Sequence, residues 1–280
     1  AAEDTNVGNE SVDIQQQEPV EISELETTEN NDLSKSSESI TVDESIAEDI
    51  LATQADTAVV VGTVSDYLTA KGDAKLYNIN LPAGVYLQAQ LTTPANADLD
   101  YDLYLLDAEG NILTGSDYYT YINGTAGTLP EALGYITSGD TATYYLYVLA
   151  SEGGSVSESF TLDYSVSTAC DSYEIDESVR QALAFTYGAG GAYIESRNLS
   201  SPIDNDWYVI TVPSSRIYDK LKISATTAST NTCSVEVYQN VASEGYQMKR
   251  VGSGNTISVS SGKYYIRVSN AKTMENFDDL

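Results

Sequence analysis

Histidine is absent from this chain of 280 residues. That excludes Ser-His-Asp and Cys-His catalysis, imidazole metal sites and histidine pH switching. Basic residues are scarce too: 13 Lys and Arg stand against 42 Asp and Glu, a formal net charge of −29. Such a surplus opposes phosphate backbones and anionic membrane surfaces, so no nucleic acid partner is expected. No apolar run reaches the ~18 residues that a membrane helix needs. Nucleotide and hydrolase fingerprints are missing, and Gly188-Ala189-Gly190-Gly191 follows no phosphate-binding pattern. Carboxylate pairs abound, yet none is flanked by the apolar residues that would raise one pKa for acid catalysis. The chain does not read as an enzyme.

What is present is tyrosine, 22 in all, and a very uneven spread of charge. Residues 1–56 hold 16 Asp or Glu and one basic residue, Lys35, while the first aromatic is Tyr67. So acidic and apolar-poor a stretch cannot offset chain entropy by burial, and it is expected to be disordered. The start, Ala1-Ala2-Glu3-Asp4, has no initiator Met and has the small residues left by signal-peptide cleavage. A secreted or cell-surface protein is expected.

From Val59 the texture changes to short alternating runs bounded by Gly, Asn, Asp and Ser. Val59–Val64, Leu76–Leu81, Val85–Leu91, Leu99–Leu106, Tyr144–Leu149 and Phe160–Val166 read as strands. Ala83-Gly84, Glu109-Gly110-Asn111 and Ser138-Gly139-Asp140 read as the hairpin turns between them. No helix is expected between 57 and 168. The fold class is all-β, with antiparallel sandwiches over 57–168 and 169–280.

The second half restates the first. Leu76-Tyr77-Asn78-Ile79-Asn80-Leu81-Pro82 matches Trp207-Tyr208-Val209-Ile210-Thr211-Val212-Pro213, and Tyr144-Tyr145-Leu146-Tyr147-Val148 matches Tyr264-Tyr265-Ile266-Arg267-Val268. Between them Leu103 and Leu105 match Val235 and Val237. The counterpart of Phe160–Val166 would begin at Leu280, so the second copy is expected to lack its last strand. The order and near-constant spacing predict two tandem copies of one sandwich.

These motifs resemble a known family. Gly72-Asp73 with Leu76-Tyr77, Leu81-Pro82-Ala83-Gly84, Asp102 to Asp107 with Gly110-Asn111, and Tyr144 to Val148 are similar to the bacterial pre-peptidase C-terminal domain. The second copy adds a lead-in, Asp171 to Ser178, and Asp204-Asn205-Asp206-Trp207-Tyr208, close to the family's Asp-x-Asp-Trp-Tyr strand start. Ile175 and Asp176 depart from the Pro and Asn usual in that lead-in, and the first copy shows no such lead-in. The resemblance implies jelly-roll-like sandwiches serving as non-catalytic accessory or binding modules of secreted bacterial proteins, often hydrolases. In collagen-binding relatives such a lead-in helps ligate calcium, and Glu174, Asp176 and Glu177 occupy the matching positions.

Three groups are candidate sites. Glu174, Asp176 and Glu177, with Asp206 near them in the repeat alignment, offer the hard oxygens that suit Ca²⁺, against the alternative of an acidic linker. Asp98, Asp100 and Asp102 alternate with Leu99, Tyr101 and Leu103, which reads first as a solvated face and second as a Ca²⁺ strand. Tyr118, Tyr119 and Tyr121 lie in a polar loop and offer rigid contact area for a polysaccharide or a protein, or ordinary loop packing. Cys170 and Cys233 could close a disulfide, or not.

The expected function is a non-catalytic module of a secreted or cell-surface protein. It would bind an extracellular protein or polysaccharide, or support a neighbouring hydrolase. A structural stalk, or the front of a hydrolase whose catalytic domain lies beyond residue 280, are the alternatives.

Overall fold

The computed structural model describes residues 37–39, 59–119, 129–168, 170, 172–185, 199–214, 220–223, 233–243, 245–253 and 256–270. By compactness the chain divides into Ala1–Asp32 and Leu33–Leu280, and everything below concerns the second unit. Among the described residues it is all-β, with one short 3₁₀ turn, η1 (Val179–Gln181). No helix there is long and apolar enough to cross a membrane.

The first sandwich has two sheets. One is ordered β1-β3-β8-β5-β6 and the other β2-β9-β4-β7. Their strands are β1 (Ser37–Ser39), β2 (Val59–Asp66), β3 (Ala74–Leu81), β4 (Tyr86–Thr92), β5 (Asp100–Leu106), β6 (Ile112–Ser116), β7 (Glu131–Ile136), β8 (Ala142–Glu152) and β9 (Phe160–Ser167). All pairings are antiparallel except that of β1 with β3. Period-2 alternation sends Tyr77, Ile79, Leu81, Leu87, Ala89, Leu91, Leu103, Leu105, Leu146 and Val148 into one core between the sheets. The six expected strands are all present, extended by a residue or more at some ends.

Of the three glycine turns, only Glu109-Gly110-Asn111 closes a hairpin, between β5 and β6. Gly84 and Gly139, with φ of 76° and 81°, instead sit where the chain crosses from one sheet to the other. The two crossings are tied together, since Gly84 N–H donates to the Thr137 carbonyl at 2.8 Å.

The expected disorder of 1–56 falls outside the described residues except at Ser37–Ser39, and there it is corrected. These three residues form β1, paired in parallel with Leu76–Asn78. A main-chain ladder can recruit a polar segment.

The second half comprises β10 (Leu183–Phe185), β11 (Asn205–Val212), β12 (Lys220–Lys222), β13 (Cys233–Asn240), β14 (Met248–Ser253), β15 (Thr256–Ser258) and β16 (Gly262–Asn270). Its larger sheet is ordered β10-β11-β16-β13-β14, and β12 pairs with β15. Leu76 faces Tyr147 in the first sandwich, and Trp207 faces Arg267 in the second. Leu103 faces Val148, and Val235 faces Val268. These four positions are those the sequence alignment equates. A parallel edge strand opens both larger sheets, Glu38 facing Tyr77 and Leu183 facing Tyr208.

The halves meet through side chains as well as sequence. Tyr118 and Leu129 of the first belong to the apolar cluster of Val179, Ala182, Trp207, Tyr238, Met248 and Tyr265 in the second. Cys170 and Cys233 stand as thiols and are not joined in a disulfide.

Candidate metal centre

After β9 the chain reverses through the lead-in, Tyr173 to Ser178, before the η1 turn. The lead-in lies across the start of β11. Trp207 N–H donates to the Asp176 carbonyl at 3.0 Å, and Asn205 N–H donates to Glu177 Oε2 at 3.0 Å. Asn205 is held in turn: its Nδ2 donates to the Ile203 carbonyl at 2.6 Å, and Arg267 Nε donates to its Oδ1 at 2.7 Å. A strand start and a loop are thereby fixed against one another by one main-chain bond and one bond to a carboxylate, which sets where their carboxylates fall.

They fall together. Carboxylate oxygens of Glu174, Glu177 and Asp204 lie within 4.8 Å of one another, as do those of Glu174, Asp176 and Asp206. The two groups have Glu174 in common. Asp176, Glu177, Asp204 and Asp206 are buried and Glu174 is half-buried. Of the four residues expected as calcium ligands, Glu174, Asp176 and Asp206 fall in one group, while Glu177 falls in the other with Glu174 and Asp204. The signal for Asp204 was in the sequence, since it opens the Asp-x-Asp pair that Asp206 closes.

The first sandwich forms the floor. Tyr86 Oη of β4 lies 2.5 Å from Glu177 Oε1 and 2.8 Å from Glu174 Oε2, and shares its proton with them. Gln88 Nε2 donates to Glu177 Oε1 at 2.6 Å. Asn205 Nδ2 reaches Gln90 Oε1 at 3.4 Å. Tyr86, Gln88 and Gln90 are the outward side chains of β4, whose other face, Leu87, Ala89 and Leu91, fills the core. At β7 the approach is so close that only glycine fits. A Cβ on Gly134 would stand 2.6 Å from Glu177 Cγ and 2.8 Å from Ile175 Cγ2.

Burial is the first cause that pushes the Glu177 carboxyl well above the usual carboxylate range, and the nearby charges of Asp204 and Glu174 add to it. Burial, then Glu177, Glu174 and Asp204, likewise push the Tyr86 phenol up. Such an array holds either shared protons or a cation. Its donors are hard oxygens without nitrogen or sulfur, which suits Ca²⁺ or Mg²⁺ over transition metals. The residues fit a cation on a further count: Gln88 Oε1, on a side chain 1% exposed, has no hydrogen-bond partner. The position of β3 that corresponds to Asp206 is Lys75, which pairs with Asp66 at 2.8 Å.

The tyrosine loop is corrected. Tyr118 is 1% exposed, with its ring in the junction cluster and its hydroxyl donating to the Pro130 carbonyl. Tyr119 is half-buried and forms a bridge with Gln247, its N–H donating to the Tyr246 carbonyl at 2.8 Å. Tyr121 lies outside the described residues. An amphipathic ring buries readily when a second sandwich offers an apolar wall, and sequence alone did not show that wall.

The acidic strand is corrected too. Asp98 is exposed, but Asp100 is half-buried and Asp102 buried, so the face is solvated at its start only. Burial first, then Asp100 and Asp117, push Asp102 up to about 7, and burial with Glu152 and Asp117 pushes Asp100 up to about 6. Asp98, Asp100 and Asp102 are not among the carboxylate groups gathered tightly enough to hold an ion in the described residues.

No family model matches the chain, and no curated protein does. Solved structures with some likeness include the periplasmic g-type lysozyme inhibitor PliG of Aeromonas hydrophila, 10% identical over 47% of this chain and 96% of that one, with a TM-score of 0.27. Another is the pre-peptidase C-terminal domain of Bacillus anthracis collagenase, 15% identical over 38% of this chain and 89% of that one, TM-score 0.26. The CUB1-EGF-CUB2 region of human MASP-1/3 is 11% identical over 76% of this chain and 94% of that one, TM-score 0.23. At these scores the likenesses carry no functional weight, which rests on the geometry above.

Proposed function

We propose that the chain is a non-catalytic accessory module of a secreted or cell-surface protein, built from two related sandwiches whose junction holds a calcium ion. The reading takes the chain as kin to the pre-peptidase C-terminal domains that its motifs resemble. One observation carries it: Glu174 joins Asp176 and Asp206 in one close carboxylate group and Glu177 and Asp204 in another, and the other four acids are buried. Gathering like charges away from water is unfavourable unless protons or a cation offset it. Calcium supplies charge compensation there, and the chain's own part is to hold five carboxylates in place through the Asp176 carbonyl, the Asn205 amide and Tyr86. Partners in this reading are extracellular proteins or polysaccharides, met by surfaces other than Tyr118, which the junction buries.

A stalk is the second reading, favoured by the junction itself. Arg180 pairs with Asp117 across it, its guanidinium 5.1 Å from the Tyr246 ring centroid. A module held stiff by such contacts serves equally to space a neighbour from a surface. Isothermal titration of the whole chain with CaCl₂ tests the shared premise. Binding of one ion at the ~10⁻⁴–10⁻³ M typical of extracellular modules is expected, and Asp176→Asn with Asp206→Asn should abolish it. Heat-silent titration up to 10-millimolar concentrations, roughly tenfold above that range, would sink the calcium reading.

A further inference from the structure

The carboxylate cluster belongs to the second half of the chain, but its floor belongs to the first, and that floor is polar where it is buried. Along β4 the outward residues are Tyr86, Gln88 and Gln90. Gln88 stands between Ser165 of β9 and Gly134 of β7 in the paired strands, so the three occupy one row on one face of the sheet. Gln88 is 1% exposed and Ser165 fully buried. Gln88 Oε1 and Ser165 Oγ both lack a hydrogen-bond partner. Orphaned polar atoms on neighbouring strands, directly beneath a group of carboxylates, need a reason.

Gln88 points into the cluster, since its Nε2 donates to Glu177 Oε1 at 2.6 Å. An amide presents one donor group and one acceptor oxygen on the same carbon, so the unpartnered Oε1 sits on the same side-chain end as the nitrogen that meets Glu177. A buried amide oxygen without a donor, at the edge of a group of carboxylates, is satisfied by a proton or a cation. An apolar side chain of similar length would fill the same space without leaving an acceptor unmet. The amide makes sense as a neutral oxygen donor, the kind that Ca²⁺ takes from Asn and Gln beside its carboxylates.

We propose that Gln88 is a cation ligand supplied by the first sandwich, so that the ion of the second sandwich is bound fully only when the two are docked. The proposal rests on the calcium reading above and adds to it a ligand from outside the lead-in and β11. Ion binding and docking are then one linked equilibrium: whatever separates the sandwiches weakens the site, and the ion in turn holds them together.

The test is calcium titration of the whole chain and of Gln88→Leu, Gln88→Glu and Asp206→Asn, each also melted in EDTA. Gln88→Leu keeps the volume and removes the oxygen, so affinity should fall roughly ten- to a hundredfold, the range seen when an ion's supporting groups are lost. Its melt in EDTA should stay close to wild type, because the orphaned acceptor goes together with the Nε2 bond to Glu177. Gln88→Glu should do the reverse, binding calcium at least as tightly as wild type and melting lower in EDTA, because it adds a buried charge. A merely structural glutamine would not show that crossing. Wild-type binding lost in Asp206→Asn but unaltered in Gln88→Leu would overturn this proposal and leave the calcium reading standing. Equal weakening in Gln88→Leu and Gln88→Glu would also overturn it, by reducing Gln88 to packing. No binding by wild type would remove both.

Discussion

Gly134 of β7 and Glu177 of the lead-in touch: a Cβ on the glycine would stand 2.6 Å from Glu177 Cγ and 2.7 Å from Tyr86 Oη. Gly134 has no conformational need to be glycine; the requirement is room. The second half of the chain lies on the first at van der Waals distance, with the glycine as the opening for Glu177. Gly134→Ala should therefore leave the first sandwich folded and lift the lead-in off it. Calcium affinity should fall about tenfold or more, as for loss of a supporting group. Titration with near-ultraviolet circular dichroism as a folding check decides it, and wild-type affinity in Gly134→Ala would show that the contact is immaterial to the site.

Stability should follow calcium by mass action, because only the folded chain gathers the ligands. With a Kd in the ~10⁻⁴–10⁻³ M range, 10-millimolar calcium would add about 1.4–2.7 kcal/mol. Glu177→Gln should split the effect by condition. In EDTA it removes a buried carboxyl that Asp204 and Glu174 crowd, so the variant melts at or above wild type. In calcium it lacks a charged ligand and gains less. Melts of the two proteins with and without calcium check this, and equal calcium increments would exclude Glu177 from the ion's coordination.

Strand positions were legible because they rest on period-2 alternation, which a half-buried strand enforces. The short β6 and β7 were not: Ile112–Ser116 and Glu131–Ile136 each hold a glycine and little β-branching, and their places come from pairing with β5 and β4. The lead-in carboxylates were legible as a donor set, but their burial was not, since it depends on Tyr86, Gln88 and Gly134, far away in sequence. Asp102 misled for the same reason. Alternation places it on an outer face, and alternation does not say what covers that face.

Asp102 gives the chain a pH dependence of definite sign. Its folded pKa of about 7 lies above the ordinary carboxylate value of 3.8, with burial as the largest cause. Between those two values the folded form binds more protons than the unfolded one, so stability declines as pH rises from about 4 to about 7. Asp102→Asn keeps the shape and cannot ionise. It should match wild type near pH 4 and exceed it by about 2–4 kcal/mol at pH 8, the order expected of a shift of this size. Urea titrations at both pH values in EDTA measure the difference, and parallel stability profiles for the two proteins would refute it.

Tyr118 should decide whether the halves unfold together. Its ring is fully buried in a cluster whose other members include Val179, Trp207, Tyr238 and Met248, all from the second half of the chain. Beside it Tyr119 shares main-chain bonds with Tyr246 and Met248, and Asp117 holds Arg180. Three consecutive residues of the first sandwich thus attach to the second, so opening either half exposes apolar area of the other. Wild type should melt in one calorimetric transition whose van't Hoff and calorimetric enthalpies agree. Tyr118→Ala empties a large site at the junction and should cost about 3–5 kcal/mol, the range for removing a buried aromatic ring. Because the loss falls on the contact between the halves, the transition should broaden or divide, with the calorimetric enthalpy exceeding the van't Hoff value. Tyr118→Phe keeps the ring and loses the hydrogen bond to Pro130, so it should cost about 1 kcal/mol and leave one transition. Two transitions already in wild type, or a Tyr118→Ala protein that still melts as one unit, would show that this contact does not couple the sandwiches.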